Sequence, residues 1–301
     1  MNRRTAISTL TGSALALREA LAQRPEPKPS ARPILCAYSG NFSKIPYQEL
    51  SGIVSAMGYE GLDLTVMVGG HVDPNKYMVD LDRAFQSIQA AGMDLPMVTT
   101  SYTSISQPLS YIIMYVAAQL GARFCRLGTW PAAPANDANS AMRTMMMRNE
   151  LNQFASFGTR YKITALLANH AGSYPGRSIP EAESLLTGVD RAAFGYCFDP
   201  AQAVIESSTA DGWVVALQAA LPRIGAVAIC DVALDAADSK PRLCPLGEGA
   251  IDWKKFFGML AAARFRGPVS LHRDYETSNE VGAMTKDLAF AKARVEEAWP
   301  L

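Results

Sequence analysis

The stretch GLDLTVMVGGHVDP, residues 61–74, contains all the parts of one strand–loop–helix unit. Its first six residues are typical of a buried strand, in which Asp63 and Thr65 face away from the aliphatic side chains between them. Gly69-Gly70 let the chain bend, and Asp73-Pro74 is a good N-cap and first residue of a helix. We therefore expect Asp63, Thr65 and His71 to lie near the end of a strand.

Seven other apolar runs resemble the strand of this unit, and helical patterns lie between the runs. One such pattern places Met78, Leu81, Phe85 and Ile88 on a single helix face directly after Asp73-Pro74. The eight predicted strands are residues 34–38, 61–66, 95–100, 122–128, 163–168, 194–199, 226–231 and 268–272. Such an alternation predicts an α/β fold, and eight units in one chain predict a single-domain (β/α)8 or TIM barrel.

The alternative is a doubly wound open sheet. That fold would be expected to have a glycine-rich phosphate-binding turn after an early strand, and the sequence has no GxGxxG or GxxxxGK[ST] motif. The barrel is therefore favoured.

The N-terminus has the features of an export signal. Arg3-Arg4 precede small and apolar residues, and Ala20-Leu21-Ala22 resembles a cleavage site. We predict a twin-arginine-like secretory signal in residues 1–22, a proline-rich linker in 23–33 and a barrel in 34–301. These features predict an exported or periplasmic protein; the alternative is a disordered tail on a cytoplasmic protein.

The composition limits the classes of partner that the protein is expected to bind. The formal net charge is zero and 49% of residues are hydrophobic, so no basic excess favours nucleic acid. Beyond the predicted signal, no apolar run approaches the length of a membrane span. The five cysteines form no CxxC motif, and their spacing predicts no particular disulfide pair. A small-molecule ligand is therefore expected, in a monomer or a homo-oligomer.

Polar residues at the ends of the predicted strands are the candidates for a site, because TIM-barrel chemistry lies on the loops that follow the strands. All three histidines follow strands, namely the second, fifth and eighth. The candidates are Asp63, His71, Arg126, Asn169, His170, Asp199, Asp231, Glu248, His272 and Asp274.

Several candidates also have structural explanations. Asp199 closes an apolar strand, where a carboxylate needs a cation, a metal or a hydroxyl, but it can equally cap the helix that begins at Pro200. Asp231 can be a salt-bridge partner in a loop, and Glu248 a turn residue. Arg126 can bind an anion or pair with a nearby acid.

Five stretches together resemble the sugar phosphate isomerase/epimerase group of xylose-isomerase-like barrels, which is related to endonuclease IV. They are GYEGLDLTVMVGGHVDP, LANHAGSYPG, GYCFDPAQAV, CPLGEGAIDWKKFF and GPVSLHRDYE. The resemblance implies a (β/α)8 barrel that interconverts keto and aldo sugars or inverts a hydroxyl-bearing carbon. It also implies a divalent metal: Mn, Mg, Zn or Co.

Most of the metal-ligand positions that the resemblance implies are substituted. Ala168 and Ala228 stand where a glutamate and a histidine are usual, and His272 stands where a glutamate is usual. Only Asp199 keeps its usual residue, so Asp199 and His272 are the remaining metal candidates. An exported branch of the group also lacks the usual carboxylates, and this chain resembles that branch, with Met67-Val68 in place of an Arg-Pro pair.

The leading hypothesis is an isomerase or epimerase of a sugar, sugar phosphate or polyol, acting by proton transfer. His170, His272 and Asp199 are the expected acid/base residues. The expected substrate contacts are Asp63, His71, Arg126, Asn169, Asp231, Glu248 and Asp274. The alternatives are a carbohydrate-binding barrel without catalysis and a metal-free lyase or hydrolase acting on sugars.

Overall fold

A computed structural model describes residues 31–132, 139–234 and 241–300. The predicted signal in residues 1–22 and most of the predicted linker lie outside the described residues. Within them, the chain forms the predicted (β/α)8 barrel, in which eight parallel strands close on themselves. The barrel strands are β1 (Leu35–Tyr38), β2 (Gly61–Val66), β3 (Asp94–Thr100), β4 (Phe124–Arg126), β5 (Thr164–Ala168), β6 (Phe194–Phe198), β7 (Ile224–Ile229) and β10 (Val269–Leu271).

Helices cover the outside of the barrel. They are α1 (Tyr47–Met57), α2 (Tyr77–Ala90), α3 (Ser110–Gln119), α4 (Ser140–Tyr161), α5 (Ile179–Leu185), α6 (Pro200–Ser207), α7 (Gly212–Ala220), α8 (Trp253–Ala262) and α9 (Glu280–Ala298). None of the described helices combines the length and apolarity needed to cross a membrane.

The helix predicted after Asp73-Pro74 forms in two steps. The Asp73 side chain accepts a hydrogen bond from the Asn75 backbone N–H, which caps a 3-10 turn at Pro74–Lys76 before α2 begins. Leu81, Phe85 and Ile88 are buried as predicted, whereas Met78 is 69% exposed. In the first turn of α2 it is Tyr77, and not Met78, that packs against the core.

Strand register determines which side chains enter the barrel. Thr99, Arg126 and Leu166 are paired across β3, β4 and β5, so their side chains share one face. That face is the interior, because Leu166 belongs to an apolar cluster enclosed by the barrel. The other members of this inner cluster are Met97, Cys197, Ala226 and Ala228, with Phe124 and Ala168 packed against them.

A two-stranded hairpin interrupts the regular pattern after β7, and the sequence patterns did not predict it. Its strands are β8 (Asp231–Leu234) and β9 (Pro241–Cys244), paired antiparallel. The apolar run predicted a strand that ends at Asp231, whereas the barrel strand β7 ends at Ile229. The five cysteines are all buried and free.

Candidate active site

Asp63 lies at the centre of a hydrogen-bonded group inside the barrel. Its side chain is fully buried and accepts hydrogen bonds from the hydroxyls of Thr99, at 2.7 Å, and Ser270, at 2.8 Å. Burial raises the pKa of Asp63 above its usual value, although both hydroxyl donors and Arg126 oppose this shift. Asp63 reaches the interior as predicted, but two protein hydroxyls already occupy its oxygens.

His272 extends this group towards the mouth of the barrel. Its ring stacks on Tyr38, with the ring centroids 4.0 Å apart and the planes 8° from parallel. The His272 Nε2 atom lies 3.9 Å from Asp63 Oδ2 and, among the described residues, has no hydrogen-bond partner. Burial and the nearby Arg126 charge hold the pKa of His272 well below its usual value. His272 is therefore a neutral imidazole at physiological pH.

Arg126 supplies a positive charge inside the barrel mouth. Burial lowers the pKa of its guanidinium, but the nearby Cys197, Tyr38, Asp63 and Asp199 raise it above the usual value, so Arg126 stays charged. The described residues offer the guanidinium no hydrogen bond and no ion pair within 4.0 Å. Its N–H donors are thus available to a ligand.

Asp199 closes β6 and caps α6. Its carboxylate accepts a hydrogen bond from the Gln202 backbone N–H at 3.0 Å, so the predicted capping role is real. Burial raises the pKa of Asp199 to about 7, although the capping bond and Arg126 oppose the shift. A carboxyl group with this pKa can both accept and release a proton near neutral pH.

Asn169 holds the backbone of Asp199 in place. Its amide donates to the Asp199 carbonyl and accepts from the Asp199 N–H, both at 2.8 Å. Both polar groups of the side chain are therefore engaged, and Asn169, a predicted substrate contact, positions Asp199.

His170 and Asp274 lie on the rim of the mouth. His170 is half-buried, and its Nδ1 lies 2.7 Å from the Ala171 carbonyl, so Nδ1 donates to that carbonyl and Nε2 takes no part in this bond. Asp274 is exposed and lies within electrostatic reach of Arg126, Arg273 and His170. The mouth thus brings together candidates from the ends of strands β2, β4, β5, β6 and β10.

The structure gives His71, a predicted substrate contact, two partners within the protein. The glycine bend turns its ring towards the loop after β1, where Nε2 lies 3.1 Å from the Phe42 carbonyl and 3.0 Å from the Ile45 carbonyl. Burial lowers the pKa of His71 below its usual value. His71 therefore fastens two neighbouring loops to each other.

Asp231, another predicted substrate contact, also has its partners within the protein. Its carboxylate accepts from the backbone N–H groups of Val232, Gly247, Gly249 and Ile251, and from the Trp253 indole at 2.7 Å. These five donors occupy a fully buried side chain. Asp231 organises the loop between β9 and α8.

A cleft of about 860 Å³ adjoins the mouth and contains Asp274 and Glu248 in its walls. The hairpin contributes Arg242 and the first turns of α9 contribute Lys286, so both signs of charge line it. Glu248 is exposed there, where a side chain can contact a ligand from the rim.

The site also includes residues that the sequence analysis did not select. Tyr38 and Ser270 contact His272 and Asp63 directly. Tyr38 ends the first strand, so the rule of choosing strand-end residues would have selected it had phenols been counted among the candidates. Ser270 lies inside its strand, and only the barrel register reveals its position.

The residues present do not fit a divalent metal. The positions at which the resemblance implies ligands, Ala168 and Ala228, contribute methyl groups to the inner apolar cluster. Of the two remaining candidates, Asp199 is a helix cap and His272 is directed at Asp63. The described part of the chain contains no group of three or more His, Cys, Asp and Glu residues that could hold a metal ion.

Comparison with protein families matches residues 112–294 to the xylose isomerase-like TIM barrel model. Among solved structures, 3-keto-D-glucoside 4-epimerase from E. coli is similar, with 15% identity, a TM-score of 0.68, and coverage of 87% of this chain and 100% of that one. D-allulose 3-epimerase from Methylomonas sp., in complex with D-allulose, has 16% identity, a TM-score of 0.62, and coverage of 87% and 97%.

A xylose isomerase-like TIM barrel protein from Mycobacterium smegmatis, in complex with magnesium, is also similar. It has 14% identity and a TM-score of 0.68, with coverage of 89% of this chain and 99% of that one. A search of curated proteins finds no match. At these identities the structural likeness establishes the fold alone, and any chemistry depends on the residues of this chain.

Proposed function

We propose that this chain, which belongs to the xylose isomerase-like TIM barrel family, moves a proton on a sugar or sugar derivative as an isomerase or epimerase. The observation that carries the proposal is the buried Asp199 carboxyl, whose pKa is raised to about 7 within electrostatic reach of Arg126, a guanidinium without an ion pair among the described residues. A buried acid with a pKa near the working pH is a common feature of proton-transfer sites.

The reaction class follows from the two groups. In the ionised state, the Asp199 carboxylate takes the proton from a carbon next to the sugar carbonyl. The C–H electron pair forms a C=C bond, and the carbonyl electrons move to the oxygen, giving an enediolate. Protonation of the same carbon on its other face, with return of the carbonyl, completes an epimerisation. For an isomerisation, the neighbouring hydroxyl first gives its proton to the former carbonyl oxygen, and protonation of the former carbonyl carbon then leaves a carbonyl on the neighbouring carbon. No oxidant or reductant is consumed in either case.

The remaining residues of the mouth have supporting roles. His272 is neutral, so its ring can exchange a hydrogen bond with a sugar hydroxyl without introducing a charge. His170 offers Nε2 from the opposite side, and the adjoining cleft accommodates the rest of the sugar. Two proteins of similar fold are a 3-keto-D-glucoside 4-epimerase and a D-allulose 3-epimerase in complex with D-allulose, which supports a sugar as the substrate class.

A carbohydrate-binding barrel without catalysis is the second candidate. It is favoured by Ala168 and Ala228, whose methyl groups occupy positions where the family resemblance implies metal ligands. Such a protein would bind sugars through the same mouth and leave their C–H bonds intact.

Solvent exchange separates the two candidates. The full chain is incubated in D2O with free and phosphorylated ketoses and aldoses of five and six carbons, and deuterium entry next to the carbonyl is followed by NMR. We expect exchange with at least one sugar and a loss of about 100-fold or more in Asp199→Asn. The matched control is Asp211→Asn, an exposed aspartate at the start of α7 whose side chain makes no capping bond.

Either of two results would overturn the isomerase proposal. One is the absence of exchange with every sugar while sugars still raise the melting temperature, which establishes the binding protein. The other is equal exchange in wild type and Asp199→Asn, which moves the chemistry to another residue.

A further inference from the structure

The position of Arg126 is unusual for a barrel strand. Register places it on the inner face with Thr99 and Leu166. Its charge acts on Asp63 from β2, on Asp199 after β6 and on Asp274 after β10. These three acids come from different sides of the barrel. Because the Arg126 charge acts on all of them, it lies near the barrel centre.

The surroundings of Arg126 disfavour a second cation. Ala168 and Ala228 provide methyl groups instead of ligand oxygens or nitrogens, and a divalent ion placed in the mouth would meet a guanidinium of like charge. The three acids that could attract such an ion already lie in the field of Arg126. The positive charge in the mouth is therefore supplied by the Arg126 guanidinium, and the three acids are the negative charges around it.

The guanidinium is also free to bind. It forms no hydrogen bond or ion pair within 4.0 Å with the described residues, and its planar fork matches two neighbouring oxygens. An enediolate presents two oxygens of this kind on adjacent carbons. The fixed charge would favour the intermediate over the neutral sugar, which is the requirement for catalysis.

We infer that Arg126 is a catalytic residue that binds the enediolate oxygens and takes the electrostatic role of the divalent metal implied for this fold. This inference rests on the proposed function, and it predicts an enzyme that works without a divalent ion. It also predicts that the mouth prefers a planar anion to a neutral polyol of equal length.

Calorimetric binding tests this preference directly. Gluconate, whose carboxylate resembles the enediolate, and the neutral alditol glucitol are titrated into the full chain in the presence of EDTA. We expect gluconate to bind at least about tenfold more tightly. Arg126→Met should lose this preference, whereas Arg191→Met, which changes an exposed arginine before β6 at the other end of the barrel, should keep it.

Two further readouts distinguish a catalytic role from a structural one. In Arg126→Ala, millimolar guanidinium should restore part of the lost exchange activity by occupying the vacated position. The pH profile of Arg126→Lys should stay close to that of wild type, whereas that of Arg126→Met should move to higher pH, because Arg126 lowers the pKa of Asp199. Melting temperatures confirm that each variant is folded.

The outcomes separate this inference from the proposed function. Exchange activity that requires added Mn²⁺ or Mg²⁺ refutes the inference and leaves the isomerase standing. Gluconate preference that persists in folded Arg126→Met also refutes it. A wild type without exchange activity but with an Arg126-dependent preference refutes the isomerase and leaves the anion site.

Discussion

The ends of β6 and β7 carry two aspartates with the same sequence signature and opposite surroundings. Each follows an apolar strand and each is buried. Asp231 accepts five hydrogen bonds from the protein, whereas Asp199 accepts its capping bond and lies within electrostatic reach of Arg126, which has no ion pair among the described residues. A carboxylate with all its oxygens occupied serves the fold. One with spare bonding capacity keeps a raised pKa and can serve chemistry.

The largest expected effect is the loss of stability on replacing Asp231, the aspartate that follows β7. Asp231→Ala removes the acceptor of five donors and leaves them buried, so we expect a loss of about 4 kcal/mol in the free energy of unfolding. Urea denaturation measures it, with Asp211→Ala as a matched aspartate on the surface. A loss no larger than that of the control would mean that solvent reaches these donors and that Asp231 is not a structural centre.

The next effect concerns Asp199 and its dependence on pH. Folding raises its pKa from 3.8 to about 7, so between these values the folded state holds a proton that the unfolded state has released. The free energy of unfolding therefore falls as pH rises from about 4 to 7 and is level above that range. In Asp199→Asn this component disappears, and the variant should gain about 4 kcal/mol relative to wild type between pH 4 and 8.

Denaturation of wild type and Asp199→Asn at a series of pH values tests this expectation. Asp63 and Asp287 also have raised pKa values, so the comparison uses the difference between the two proteins. If the difference in the free energy of unfolding between the two proteins is constant with pH, folding does not raise the pKa of Asp199. Its contrast with Asp231 would then be limited to the number of hydrogen bonds.

The smallest effect concerns the bond that fixes Asp199. Asn169→Ala removes two hydrogen bonds to the Asp199 backbone, and we expect a stability loss of about 1 kcal/mol. Proton exchange on the sugar should fall more than binding does, since Asn169 acts through the placement of Asp199. Kinetics of the variant check this: a change in KM alone would make Asn169 a substrate contact instead.

Periodicity was sufficient to predict the barrel. All eight apolar runs became barrel strands, because a buried parallel strand must be apolar on both faces and a helix must show one apolar stripe. The rule of choosing strand ends then brought Asp63, Arg126, Asp199 and His272 to the mouth. These predictions depend only on local pattern and on the closure of the sheet.

The roles of individual site residues could not be predicted in this way. The donors that occupy Asp231 come from residues 247–253, beyond a hairpin, and nothing in the local sequence distinguishes this aspartate from Asp199. His71 follows its strand as the other two histidines do, yet the carbonyls that hold it belong to the loop after β1. Such partners are distant in sequence and are set by three-dimensional packing.

The β8–β9 hairpin borders the cleft in which a sugar is proposed to bind. Its strands are paired from Asp231 with Cys244 to Leu234 with Pro241, and the Asp231 hydrogen bonds anchor its base. Because Pro241 and Arg242 line the cleft, bulkier side chains at these two positions would narrow it. Libraries varied at positions 241 and 242 are therefore expected to shift selectivity between short and long sugars while leaving Asp199 and Arg126 unchanged.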